Sequence, residues 1–305
     1  MTADIIRLSE IGDVLRGHRP PIDPEDVVKL AWDRKKRPET ERHLNEWETV
    51  LNEIITGDTF GVDRIDYLLR DSYHAGVSYG RFDPFRLIDN LTVVVDPASD
   101  LCSLAVEEGA VHAAEALLLA RYFMYTQVYF HDVRRAYDKH LQQFLADWLP
   151  HGRFPTDWSE YISLTDNEVW AAINSSCCDQ ASPTFAQARR IVLRQHYRTI
   201  YTWNPVEDRN HPELWSELES ALKGAFGDLV LSDRYMPSAD PASFPVRTEN
   251  GDVVNSLGMS SVLTHLPDAA FGYIFADQSV CKEATRMVQD KRSEASNRIV
   301  EEAEE

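Results

Sequence analysis

Cysteine is scarce in this sequence, with four in 305 residues. Cys177 and Cys178 are adjacent, Cys102 and Cys281 stand alone, and none has the spacing of a zinc site. This excludes a disulfide framework and points to reduced thiols in a cytoplasmic protein. Long apolar runs are missing as well. The longest, such as Ala116–Ala120, fall far short of the roughly 20 residues that span a bilayer. The N-terminus, MTADIIRLSEIGDVLRG, lacks the basic start and apolar core of a signal peptide. Positive charge is in deficit: 31 Lys and Arg face 50 Asp and Glu, for a formal net charge of -19. That balance argues against nucleic acid as a partner and against docking to an anionic membrane. It leaves room for a local basic pocket that holds a phosphorylated small molecule. What the chain does have is core material. Apolar residues make up 43% of it, too many for a disordered chain and enough for one large domain or two moderate ones.

Hydrophobic spacing makes the first half mostly helical. Ile5, Ile6, Leu8, Ile11, Val14 and Leu15 follow a helical period up to Gly17, which predicts one helix with an exposed apolar face. Asp23-Pro24-Glu25 opens a second helix, with Asp as the cap and Pro in the first turn. Residues 34–46 read as a charged connector. Further helices are predicted from about Leu44 to Ile55, from Val62 to Tyr73, and over Phe82–Asn90. Thr92–Val95 is a short β-branched strand, and Val106–Leu149 reads as helix with one break. In the second half helices and strands alternate. Helices are predicted after the Thr165-Asp166 cap, over Ala186–Gln195 and over Glu213–Phe226. Strands are predicted at Tyr197–Tyr201, Asp228–Ser232, Val246-Arg247 and Tyr273–Phe275, with an Asn250-Gly251 hairpin. From Lys282 the tail is charged and reads as a surface helix that frays. The fold class expected is mostly α, with a helical domain over residues 1–150, a small α+β subdomain over 151–277 and a charged tail over 278–305.

One stretch concentrates chemistry: Gly61-Val62-Asp63-Arg64-Ile65-Asp66-Tyr67-Leu68-Leu69-Arg70-Asp71-Ser72. On a helix Asp63, Tyr67 and Asp71 recur at i, i+4 and i+8 and share a face. Arg64, Asp66 and Arg70 flank them, and Ile65, Leu68 and Leu69 gather opposite. Carboxylates can hold a hard cation, guanidinium groups can fork onto phosphate oxygens, and Tyr and Asp can hold a sugar hydroxyl. An amphipathic helix with i,i+4 ion pairs has the same pattern, so spacing leaves both open.

The wording of the stretch goes further. GVDRIDYLLRDSYHAGVSYGRFDPFRLI resembles the signature helix of HD-superfamily phosphohydrolases, on the branch of deoxynucleoside triphosphate triphosphohydrolases. Leu119–His131 with Arg134-Arg135-Ala136-Tyr137 is similar to the family's next long helix. Leu164–Trp170, Arg189–Tyr201 and Ser243–Leu263 are similar to its α+β subdomain. The resemblance implies that Asp63 is the last metal ligand of an H…HD…D set and that Arg64 contacts substrate phosphate. It implies that Tyr67 lies near phosphate and sugar, that Asp71 binds the sugar 3′-hydroxyl, and that Tyr137 stands beside sugar and base. Asp138 and Tyr129 depart from the family pattern, where an amide and a phosphate-binding Arg stand.

The His and adjacent His-Asp ligands that should precede Asp63 are not found. The His131-Asp132 pair lies downstream, out of order, and His18 and His43 precede no Asp. The resemblance therefore implies the rear portion of an HD-type domain, truncated at the N-terminus. Three explanations stay open: a fragment, one half of a split enzyme, or a non-catalytic nucleotide-binding or regulatory subunit. The family reaction converts a dNTP to deoxynucleoside and triphosphate, with a divalent metal (Mg, Mn, Fe or Zn) that positions water. One Asp does not hold that metal by itself, so this chain alone is expected to be inactive. The implied partners are a nucleotide and either copies of this chain or an HD-bearing chain.

Overall fold

The computed structural model describes residues 1–32, 43–96, 101–237 and 243–304. The chain begins with α1 (Thr2–Leu8) and α2 (Glu10–Gly17), followed by α3 (Pro24–Ala31), α4 (Glu46–Thr56), α5 (Val62–Ala75) and α6 (Pro84–Asp89). Strands β1 (Leu91–Asp96) and β2 (Leu101–Glu107) come next, then α7 (Val111–Met124), a π-helical turn (Tyr125–Tyr129) and α8 (Asp132–Trp148). The second half runs α9 (Trp158–Ser163), α10 (Asp166–Cys178), α11 (Phe185–Val192), β3 (Arg198–Thr202), α12 (Pro205–Asn210), α13 (Leu214–Phe226) and β4 (Val230–Tyr235). It ends with β5 (Pro245–Arg247), β6 (Val253–Asn255), α14 (Ser261–His265), β7 (Phe271–Ala276) and α15 (Cys281–Glu304). The molecule is mostly α, with a smaller α+β part.

Two compact units divide these elements. One holds residues 1–128, 156–160 and 238–268, and the other holds 129–155, 161–237 and 269–305. They interleave along the chain, whereas the sequence was divided linearly at 150 and 277. The interleaving has a definite cause in the first unit. The hairpin β5–β6 pairs Val246 with Val254, and β5 adds in parallel to β2 through Val106↔Val246 and Glu107↔Arg247. The result is a mixed sheet in the order β1-β2-β5-β6. Glu107 and Arg247, adjacent in that register, form an ion pair.

Capping fixes several helix starts as read. Asp23 accepts from the Glu25 amide, and Thr165 with Glu168 closes a full capping box at α10. Elsewhere tertiary partners override the local pattern. The single helix expected from Ile5 to Leu15 breaks at Ser9, whose extended backbone lets its hydroxyl cap α2 by accepting from Ile11. Leu8, Ile11 and Val14 are exposed, which matches the expected apolar face. Val106, read as the start of a helix, is the sixth residue of β2 and fully buried. Pairing of all of β1 with β2, from Leu91↔Val106 to Asp96↔Leu101, draws that apolar run into a strand. The expected connector at 34–46 lies largely outside the described residues. The tail is a long helix and is anchored: Ala284, Val288 and Ala295 are buried in a core with Leu214, Leu218, Leu222 and Ile274. That core covers the antiparallel sheet β3-β7-β4 of the second unit.

Candidate functional site

Helix α5 carries four of the five predicted site residues. Its start is sterically specified. A side chain on Gly61 would place a Cβ 2.5 Å from the Gly57 carbonyl and 2.9 Å from an Asp63 carboxylate oxygen. Gly76 ends the helix in the left-handed region, with φ +68. Leu68 and Ser72 are buried along the inner face. Asp63, Tyr67 and Asp71 therefore share one side of an unbroken helix, as the spacing predicts.

The side chains on that face differ in their engagement. The Asp63 carboxylate is largely exposed, accepts from the Arg64 amide at 2.8 Å and lies 3.8 Å from the Arg64 guanidinium. Arg64 is mostly covered. It donates through Nη1 to the Gly57 carbonyl and through Nη2 to Asp58 Oδ1 at 3.0 Å. It thus leans back over the turn before α5. Asp71 lies 3.7 Å from Arg70, which also pairs with Asp66 one turn earlier. Burial, and then a hydrogen bond with Tyr125, raise the Tyr67 phenol well above its ordinary pKa, while Arg121 and Arg64 pull it the other way. Tyr67 is therefore a neutral phenol at physiological pH.

Sequence reasoning missed three of these neighbours: Asp58, Arg121 and Tyr125. Arg121 donates to the Asp58 carbonyl at 3.2 Å, and its guanidinium carbon lies 5.7 Å from the centre of the Tyr125 ring. The available signal was the i,i+4 spacing of Arg121 and Tyr125 at the end of α7, which places them on one helix face.

Tyr137 belongs to the other compact unit, on α8. Its hydroxyl is 3.1 Å from His196 Nδ1 and the two rings are 4.7 Å apart. Burial, then the nearby Arg198, lower the His196 pKa and favour the neutral imidazole. Asp138, one of the two departures from the family pattern, is held by Arg135 at 3.0 Å and Arg134 at 3.5 Å. The out-of-order His131-Asp132 pair has local work. His131 caps α8 by accepting from the Val133 amide, and Asp132 accepts from Thr199 at 2.7 Å.

Among the described residues, no group of three or more His, Cys, Asp or Glu side chains is arranged to hold a metal ion. Asp63, the residue that the resemblance makes a ligand of a divalent metal, stands in no such group among the described residues. A mostly apolar hollow of about 380 Å³ lies away from α5, lined by Met1, Thr2, Ala3, Ile6, Val28, Ala31 and Trp32. Its described lining contains no charged side chain. No helix among the described residues is long and apolar enough to cross a membrane.

A family model described as an HD associated region matches residues 82–217. A hypothetical protein from Aquifex aeolicus of known crystal structure is 30% identical, with a TM-score of 0.74, over 93% of this chain and 70% of that one. The HD associated region relates this chain to the HD superfamily. A phosphohydrolase from Bacteroides thetaiotaomicron, 19% identical over 91% of this chain and 70% of its own, shares the fold with a TM-score of 0.61. The uncharacterized protein YwfO of Bacillus subtilis is 33% identical over 84% of this chain. The chain spans 60% of that relative's length.

Proposed function

We propose that this chain supplies the nucleotide-holding part of a metal-dependent HD phosphohydrolase that releases triphosphate from dNTPs in the cytoplasm. The observation that carries this is the α5 face, where Asp63, Tyr67 and Asp71 align on one side and Arg64 sits at its base. Arg64 would hold phosphate oxygens, since its fork matches their geometry. The Tyr67 phenol, whose proton is engaged with Tyr125, would stand beside phosphate and sugar, and Asp71 would accept from a sugar hydroxyl. Asp63 would be one ligand of a metal whose other ligands come from an HD module, on the same longer protein or on a partner chain. Self-assembly of this chain is a further part of the proposal.

The HD-associated region and the likeness to the Aquifex protein support this reading. The test is triphosphate release from a dNTP panel with Mn²⁺ or Mg²⁺. The 305-residue chain is compared alone and joined to the HD module of a relative such as YwfO. The expected result is no turnover alone, turnover when joined, and loss of that turnover in Asp63→Ala. Turnover by the chain alone that persists in Asp63→Ala would overturn it. Nucleotide binding without turnover in either preparation would favour the regulatory subunit instead.

A further inference from the structure

We infer that Arg121 is a second phosphate-contacting residue, clamping with Arg64 the triphosphate of a nucleotide bound at the α5 face. The inference rests on the nucleotide reading of that face and adds to it a cation from a different helix. Arg64 and Arg121 converge on the same turn. One donates to the Gly57 carbonyl and the Asp58 carboxylate, the other to the Asp58 carbonyl at 3.2 Å. The Tyr67–Tyr125 hydrogen bond ties α5 to the π-helical turn that follows α7, and both guanidinium groups act on the Tyr67 phenol.

Chemistry separates Arg121 from an ordinary surface arginine. A guanidinium has five N–H donors, and among the described residues Arg121 spends one of them on a protein acceptor. Among the described residues it forms no ion pair with a carboxylate, in a chain of net charge -19. The helix bearing it runs directly into the π-helical turn Tyr125–Tyr129, a departure from α geometry that recurs at functional sites. An aromatic ring on one side and a backbone carbonyl on another hold the guanidinium without neutralising it. A triphosphate supplies the missing negative charge, and a planar fork binds two of its oxygens at once. Asp58 competes with phosphate for Arg64, and Asp58→Asn should tighten triphosphate binding.

The test is calorimetric titration of the 305-residue chain with inorganic triphosphate, a dNTP and the matching deoxynucleoside. Arg121→Gln should weaken triphosphate and dNTP at least tenfold and leave the deoxynucleoside unchanged. Arg121→Lys, which keeps charge but loses the fork, should fall between the two and carries the same test if Arg121→Gln does not fold. Triphosphate binding equal to the native chain in both variants, with loss in Arg64→Gln, would overturn the role of Arg121 and leave the nucleotide reading standing. Equal weakening of triphosphate and deoxynucleoside would show a structural role and also overturn it. A native chain that binds none of the three probes would overturn both.

Discussion

Each compact unit of this chain holds a cluster of basic side chains, and the two clusters are neutralised differently. In the second unit Arg135 and Lys139, one turn apart on α8, close on Asp233 of β4 at 2.7 and 3.1 Å. Asp233 is 8% exposed, and Arg135 also stacks over the Phe271 ring. Every charge there has a partner within the chain. In the first unit Arg64 pairs with the largely exposed Asp58, and Arg121 has a carbonyl and a ring but no carboxylate among the described residues. The same residue types therefore do different work. Cations closed on a buried carboxylate lock a helix to a sheet. Cations left with open donors are available to a ligand.

The largest effect should come from breaking the closed cluster. Asp233→Ala strands the partly buried Lys139, leaves Arg135 with Asp138 alone, and should lower the unfolding free energy by about 3 kcal/mol, read by urea denaturation. Triphosphate binding by the folded variant should not change. Loss of that binding would blur the distinction between the clusters.

The next effect is a pH dependence in the second unit. His140 is fully buried on α8, bonded through Nδ1 to Gln187, and its Nε2 accepts the Tyr197 amide at 3.1 Å. Burial pushes its pKa down from 6.5 to about 4. Between those values the unfolded chain binds the proton that the folded chain refuses. Stability is therefore complete above pH 6.5 and falls as pH drops toward 4, by on the order of 2–3 kcal/mol. Urea midpoints at pH 7 and 4.5 should show this fall, and His140→Asn should reduce it.

Smaller still is Thr165→Ala, which removes the α10 capping box and should cost about 1 kcal/mol in the same assay. The smallest effect is expected from Arg121→Gln. With no ion pair to lose among the described residues, it should alter stability by no more than ~0.5 kcal/mol. A large loss of stability would place Arg121 with the closed cluster.

The parts of the fold legible in the sequence are those set by neighbours a few residues away. Asp23 and Thr165 announce their helices, and the β5–β6 hairpin was visible in its Asn250-Gly251 turn. The α5 face was legible for the same reason, because i, i+4 and i+8 spacing needs only that the segment be helical. Residues whose state depends on distant partners were not legible. The apolar run ending at Val106 could serve helix or strand, and its pairing with β1 and β5 decides. The charge of the last helix hid Ala284, Val288 and Ala295, whose burial depends on α13 and the sheet.

The sequence by itself determined the mostly helical class, the α5 face with Asp63, Arg64, Tyr67 and Asp71, and the likeness to the HD superfamily. Tertiary structure alone decided what surrounds that face. It brought Arg121 of α7 and Tyr125 of the following π-helical turn toward Tyr67, and it turned Arg64 back toward Gly57 and Asp58. The physical reason is range. Helical periodicity is written in backbone geometry and read locally, while the partner of a charge is whichever group the completed fold brings within hydrogen-bond distance.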